Sequence, residues 1–494
     1  MSAIDELCRS YFDVRWHFDP AAASAAGRTD QDGRLGRFDA DSVREHLAAV
    51  RSLSGAAEEL DVEDYQEEID RTALLDDMRV LGFRFDYEQP HRRNPAFWLR
   101  HLRDAFLSVL GRPDDAATAG VVAERLRDIP PFLAAAMGTL EQPVGIFTDT
   151  ALAMLGNTGE VVVEATRRYG MLAPELADDL AAATVAALSS LKSFGLTLNQ
   201  RTATGADPHA FAAGEEQFER RLRFEHALLA SAPELWRYGL HLRDELEAQL
   251  AALARRIDPS RPWRDVAVRV LAVMPEVPVR DALYDEEMAR AVAFIDERAL
   301  MTLPEAPGHL VLSGNPWDNA THRIPVVVAH EVWPGRHVHA VRAGELASEV
   351  RRRLTPALTV DGWALYAQEL MAEEGYYASL ETRLLHLVDM LHYAVQVDLD
   401  IGLHTRGMTP QEAIEELVKR VPIDRRQAEA EVRHHCESPT HGLCHAVGRR
   451  ALRALREAAE SQRGTPYSLR AFHDEVLAYG GLPVSLIRWG MGID

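Results

Sequence analysis

Cysteine is scarce in this chain, with only Cys8, Cys436 and Cys444 among 494 residues. Three cysteines make no disulfide scaffold, so a reducing compartment is expected. Positive charge is also short: 54 Lys and Arg stand against 76 Asp and Glu, for a formal net charge of −22 at pH 7. Phosphate backbones are bound by clustered cations, so nucleic acid is not an expected partner, and the acidity is read as solubility. No run of ~18 apolar residues stands out, so no transmembrane helix and no membrane partner are expected. The opening stretch MSAIDELCRSYFDVRWHF has no basic segment followed by an apolar one, hence no secretory signal. Together these features predict a cytoplasmic protein. Strand signals are few, and His309-Leu310-Val311-Leu312 is the best of them.

What the chain does have is helix-forming sequence rich in Ala, Leu, Arg and Glu. Apolar residues recur at three- and four-residue spacing over 41–60, 120–138, 174–195, 216–256 and 411–433. Short breaks fall at Gly111-Arg112-Pro113, Ile129-Pro130-Pro131, Asp258-Pro259-Ser260 and Leu303-Pro304. At 47% hydrophobic the chain has ample material for a large core. The expected fold class is mainly α with little strand. Residues 1–494 are read as a single domain, with 1–300 as scaffold and 301–494 carrying the chemistry.

The most informative stretch is His330-Glu331-Val332-Trp333-Pro334-Gly335-Arg336-His337. A His-Glu pair with another His close by suggests a metal site and an adjacent general base. The spacing differs from HExxH. On an unbroken helix two turns would part the imidazoles by roughly 10 Å, too far for one zinc. Pro334-Gly335 is a helix break that could fold His337 back toward His330.

Three further clusters follow. Asp361-Gly362-Trp363-Ala364-Leu365-Tyr366-Ala367-Gln368-Glu369 offers Asp361 either as a carboxylate ligand or as a helix N-cap. An apolar helix over Glu381–Leu403 carries His392, Gln396, Asp400 and His404 at four-residue spacing, one polar row on one face. If buried, that row needs partners, and a carboxylate there commonly orients a metal-bound His; the alternative is a solvated stripe. Finally, residues 434–445 hold His434, His435, His441, His445 and two cysteines in a spacing that matches no zinc finger. This segment is read as a supplier of proton donors or extra ligands.

In order, these clusters resemble a bacterial domain-of-unknown-function family regarded as zinc metallopeptidases, with the signature HEGxPGHHLQ, EGWALYAE, DxGxH, ExxRYxxxPGQAxxYxxG and FHDxVLxxGxxPL. Here those motifs read His330–His339, Asp361–Gln368, Asp400–His404, Glu431–Gly448, and Phe472-His473-Asp474 through Pro483-Val484. Asn94-Pro95 and Gly214-Glu215-Glu216-Gln217-Phe218 extend the likeness to the N-terminal half, so it covers essentially the whole chain. The resemblance implies one nearly all-helical metallopeptidase-like fold with a divalent metal in a central cleft. Departures are marked. Arg336-His337 stands for the family's paired His, His339 for Gln, Asp361 for Glu and Gln368 for Glu. His434-His435 replaces Arg-Tyr, and His441 and His445 replace Gln and Tyr.

Three functional expectations result. In the first, His330, His337 and Asp361 hold Zn2+, and Glu331 deprotonates a bound water to hydrolyse an amide or peptide-like bond of a small substrate. His434 or His435 then stabilises the oxyanion. Arg336, His339, Gln368, His392, Asp400, His404, His441 and His445 lie behind the ligands or against the substrate. In the second, the same two His and one carboxylate hold Fe2+ for redox chemistry. In the third, a metal-free relative keeps the fold without catalysis. A homodimer is the default assembly.

Overall fold

The computed structural model describes residues 2–62, 64–201, 207–310, 316–464 and 467–493. Among them there are helices and no strand, as the composition predicts. Of the expected strand, His309 and Leu310 carry no regular structure, and Val311-Leu312 lies outside the described residues. The chain divides into two compact units, one formed by 1–61 with 78–211 and the other by 62–77 with 212–494. Residues 212–300 thus fall in the same unit as every candidate site residue.

The first unit packs helices including Ala40–Glu59, Pro95–Leu110, Ala116–Thr139, Gly145–Leu172 and Ala177–Arg201. Asp39 and Asn94 cap the first two by accepting backbone N–H bonds, as such residues do at helix starts. Trp98, Phe106, Phe132 and Phe194 fill the core. The expected break at Ile129-Pro130-Pro131 is corrected: both prolines lie inside Ala116–Thr139. Each proline removes a helix hydrogen bond, but Leu126, Ile129, Phe132 and Leu133 are buried on either side and hold the helix in place. One stretch, Pro174–Arg201, is long and apolar enough to cross a membrane by length and composition, where none was expected. Its Leu180, Ala187, Phe194 and Leu198 are buried in this unit's core, while Val185 and Leu196 are exposed.

Seven helices of the second unit position the candidate site: α1 (Ala232–Ile257), α2 (Ile324–Glu331), α3 (Arg336–Gly344), α4 (Ala357–Glu373), α5 (Leu380–Thr405), α6 (Arg425–Glu437) and α7 (Cys444–Arg463). Helices α4 and α5 are apolar around most of their circumference and correspondingly buried. Helix α1 lies against α5 where Gly239 leaves room for Val397 and Asp398, and Arg243 Nη1 donates to Asp398 Oδ2 at 2.9 Å. Helices α4 and α7 touch backbone to backbone. A Cβ on Gly448 would stand 2.0 Å from the Leu358 carbonyl oxygen, and one on Gly362 2.5 Å from Gly448 Cα. Only glycine permits that approach.

Candidate active site

Helix α2 is a short apolar rod with Val326, Val327, Val328, Ala329 and His330 buried. It ends at Glu331, and Val332–Gly335 reverses the chain into α3. The turn is tight because Gly335 packs on the end of α2, where a Cβ would stand 1.8 Å from the His330 carbonyl oxygen. Trp363 Nε1 ties the turn down by donating to the Pro334 carbonyl at 3.0 Å. The Pro-Gly break therefore folds the chain back, as expected, but the residue it returns to the His-Glu pair is Arg336. His337 turns away: its ring lies edge-on to Trp333, 5.1 Å between centroids, and near Ala306 and His309. Its Nε2 is buried without a hydrogen-bond partner among the described residues.

Arg336 organises the cluster. Its Nη1 lies 2.6 Å from Asp361 Oδ1, its Nε 3.5 Å from Glu331 Oε2, and its Nη2 3.1 Å from His445 Nε2. Asp361 belongs to the body of α4, whose N-cap is Pro356, so its place as an N-cap is corrected. The Gly362–Gly448 contact between α4 and α7 brings Asp361 beside His445, with Oδ2 3.9 Å from His445 Nδ1 and from His441 Nε2. Burial draws the Glu331 carboxyl up to about 7 despite the opposing guanidinium of Arg336. Burial also works against the charge of Arg336, but Asp361 and Glu331 outweigh it and hold the guanidinium charged. Glu331 and Arg336 keep 21% and 32% of their side-chain surface open, so the cluster is reachable.

The imidazoles around it are neutral. Burial, with Arg336 and His445, holds His330 well below its ordinary pKa. His330 Nδ1 meets Gln368 Oε1 at 3.1 Å, and Gln368 Nε2 meets His386 Nδ1 at 3.0 Å. An amide oxygen accepts, so His330 carries its proton on Nδ1 and turns an unprotonated Nε2 toward Glu331, 3.9 Å away. Burial and Arg336 hold His445 neutral too, accepting from the guanidinium. Its ring stacks on Tyr393 at 4.0 Å.

The remaining candidates are elsewhere. His392, Gln396, Asp400 and His404 form the buried alternative rather than a solvated stripe, and they tie α5 to α6 and to the loop before α7. His392 and Gln396 bond Glu431. Asp400 accepts from the backbone N–H of Thr440 and Leu443. His404 accepts from Ala213 N and donates to the His435 carbonyl. His435, expected at the oxyanion, lies 3.7 Å from Glu431 on its own helix. His434 stands edge-on to His441. His339 meets the Gly480 carbonyl at 3.2 Å and fastens α3 to the C-terminal segment. Sequence reasoning missed Tyr393 and Arg323, which pairs with Asp318 and Asp389; the charges of Arg323 and Asp318 reach Glu331. Tyr393 directly follows His392 but points off the four-residue row, so periodicity passes over it.

The arrangement does not fit the divalent metal the resemblance implies. Asp361 and His445 are engaged by a guanidinium, and His337 faces Trp333. Among the described residues no group of three or more His, Cys, Asp or Glu converges as a metal site.

A mainly α protein with a partly exposed acid–base cluster at a helix reversal is thus defined. The chain belongs to the bacterial family of proteins of unknown function DUF885, which it matches over residues 20–311 and 302–491. Two solved structures share its fold. One is a "putative lipoprotein of unknown function" from Shewanella oneidensis, at 19% identity and a TM-score of 0.82, covering 99% of this chain and 100% of that one. The other is a "putative lipoprotein" from Colwellia psychrerythraea, at 15% identity and a TM-score of 0.82, covering 99% and 98%. No curated protein matches the chain. The expectation of a cytoplasmic protein is overturned by these relatives, since the fold is found in proteins so described. Few cysteines and a charged opening segment do not fix a compartment.

Proposed function

We propose that the chain is a hydrolase cleaving an amide or peptide-like bond of a small substrate, with Glu331 as general base and Arg336 stabilising the oxyanion. The observation that carries this reading is the juxtaposition of Glu331 Oε2 and Arg336 Nε, 3.5 Å apart, with both side chains partly exposed. As a carboxylate, Glu331 takes a proton from water, and the water oxygen attacks the substrate carbonyl carbon. The carbonyl electron pair moves onto oxygen, where the guanidinium faces it. Glu331 then passes its proton to the departing nitrogen as the C–N bond breaks, releasing a carboxylic acid and an amine. A group near pH 7 in affinity serves both transfers. The His330-Glu331 pair and the resemblance of the motifs to a family regarded as zinc metallopeptidases support hydrolysis as the reaction class, while the donor set described above leaves zinc out of the steps.

The test is amine release from a panel of dipeptides and N-acyl amino acids by the full chain. Glu331→Gln is expected to lose about 10²–10⁴-fold. Activity that survives the substitution removes Glu331 as base, and a wild type inert across the panel removes the reading itself.

A further inference from the structure

We infer that the guanidinium of Arg336 is the resident cation of this site, held where Asp361, His445 and His330 would otherwise share a divalent metal. Zinc would then bind only when that guanidinium is replaced. The geometry supports this at two of the three donors, with Glu331 beside them. One planar group reaches Asp361 Oδ1 at 2.6 Å, His445 Nε2 at 3.1 Å and Glu331 Oε2 at 3.5 Å, using residues of three helices. Those oxygen and nitrogen lone pairs are the ones a metal needs. A guanidinium is not deprotonated at neutral pH, so its charge is permanent and repels a second cation.

The surroundings are nonetheless those of a ligand set. Gln368 keeps the His330 proton on Nδ1 and leaves Nε2 bare, the arrangement that prepares an imidazole to bind a metal. The His330 and His445 rings lie 5.6 Å apart, inclined by 20°. Asp361 is buried beside His445, its Oδ2 3.9 Å from His445 Nδ1. Removing the cation would leave two neutral imidazole nitrogens and a carboxylate around the space it held. An imidazole on the first residue of α3 would add a third nitrogen.

The inference concerns the cation and not the reaction, so it stands or falls separately from the hydrolase reading. The experiment is equilibrium dialysis of the full chain against Zn2+, with metal counted by mass spectrometry and folding checked by circular dichroism. Wild type is expected to hold far less than one zinc per chain. Arg336→His is expected to hold about one, and to lose it again when His330→Ala is added. A wild type that holds one zinc, released in His330→Ala, overturns the inference. So does a folded Arg336→His variant that takes up none.

Discussion

Two clusters in the second unit are built from nearly the same residue types and are wired differently. Around Arg336, the carboxylates of Glu331 and Asp361 face a guanidinium that is 32% exposed, and the imidazole Nε2 of His330 points inward unprotonated. Around α5 and α6, Glu431 accepts from His392 and Gln396, Asp400 accepts two backbone N–H bonds, and His404 bridges two backbone groups. The second cluster is spent on joining segments. A carboxylate whose lone pairs are answered by its own backbone has little left for a substrate, whereas one beside an open cation does. In sequence both clusters read as His and acid at short spacing. Their difference is one of partners and exposure.

The sharpest break of the comparison is Asp400→Ala. It strands the N–H groups of Thr440 and Leu443, both bonded to Asp400 and fully enclosed, at a cost of about 4 kcal/mol. The urea midpoint should fall with little change in slope, while the activity of the folded fraction stays near wild type. The opposite pattern, lost activity at an unchanged midpoint, would move the reactive centre to α5. A smaller effect is expected where the scaffold meets the Arg336 cluster. Gly448→Ala puts a methyl 2.0 Å from the Leu358 carbonyl oxygen and pushes α7 off α4. Such overpacking costs about 2 kcal/mol. Because His445 and Asp361 ride on those two helices, hydrolysis should fall as well. A stable variant with full activity would show that their register does not matter.

Much of the scaffold was legible. The Glu381–Leu403 helix is observed as Leu380–Thr405, and 41–60 as Ala40–Glu59. The Gly111-Arg112-Pro113 and Asp258-Pro259-Ser260 breaks separate helices as expected. Errors came where tertiary packing overrode a local signal. Pro130-Pro131 sits inside a helix held by its core face. The periodic stretches 216–256 and 411–433 are each two helices, parted at 225–231 and 421–424. At the site, sequence located His330, Glu331, Asp361, Gln368 and His445 in one neighbourhood but assigned His337 where Arg336 stands. Spacing tells that Pro-Gly folds the chain back. Which side chain then faces Glu331 depends on where Gly335 packs on the His330 carbonyl, and one residue along α3 turns the side chain ~100° away.

The smallest effect, and the finest contrast, lies in pH. Burial pushes His392 toward its neutral form, but Glu431, at 2.7 Å, outweighs it and raises the imidazole above its ordinary pKa, with Asp389 adding and Arg323 opposing. Glu431 is half-buried, yet His392 and His435 hold it well below the usual carboxylate range. A raised imidazole contributes stability that is complete below about pH 6.5, the unfolded value, and fades as pH climbs through the folded value. A depressed carboxylate contributes stability that is complete above about pH 4.3 and fades as pH falls. The urea midpoint of wild type minus that of His392→Gln should therefore peak near about pH 5.5 and shrink toward both acid and alkali. The Arg336–Asp361 pair has no such alkaline limb, because a guanidinium keeps its charge. Glu331 is drawn up to about 7 against the opposing guanidinium, and without that guanidinium it is drawn higher still. Wild type minus Arg336→Met should therefore widen as pH climbs above about 7, the opposite trend to His392→Gln. If the His392 difference did not shrink on the alkaline side, His392 would be a neutral hydrogen-bond donor to Glu431, and the two clusters would differ in exposure alone.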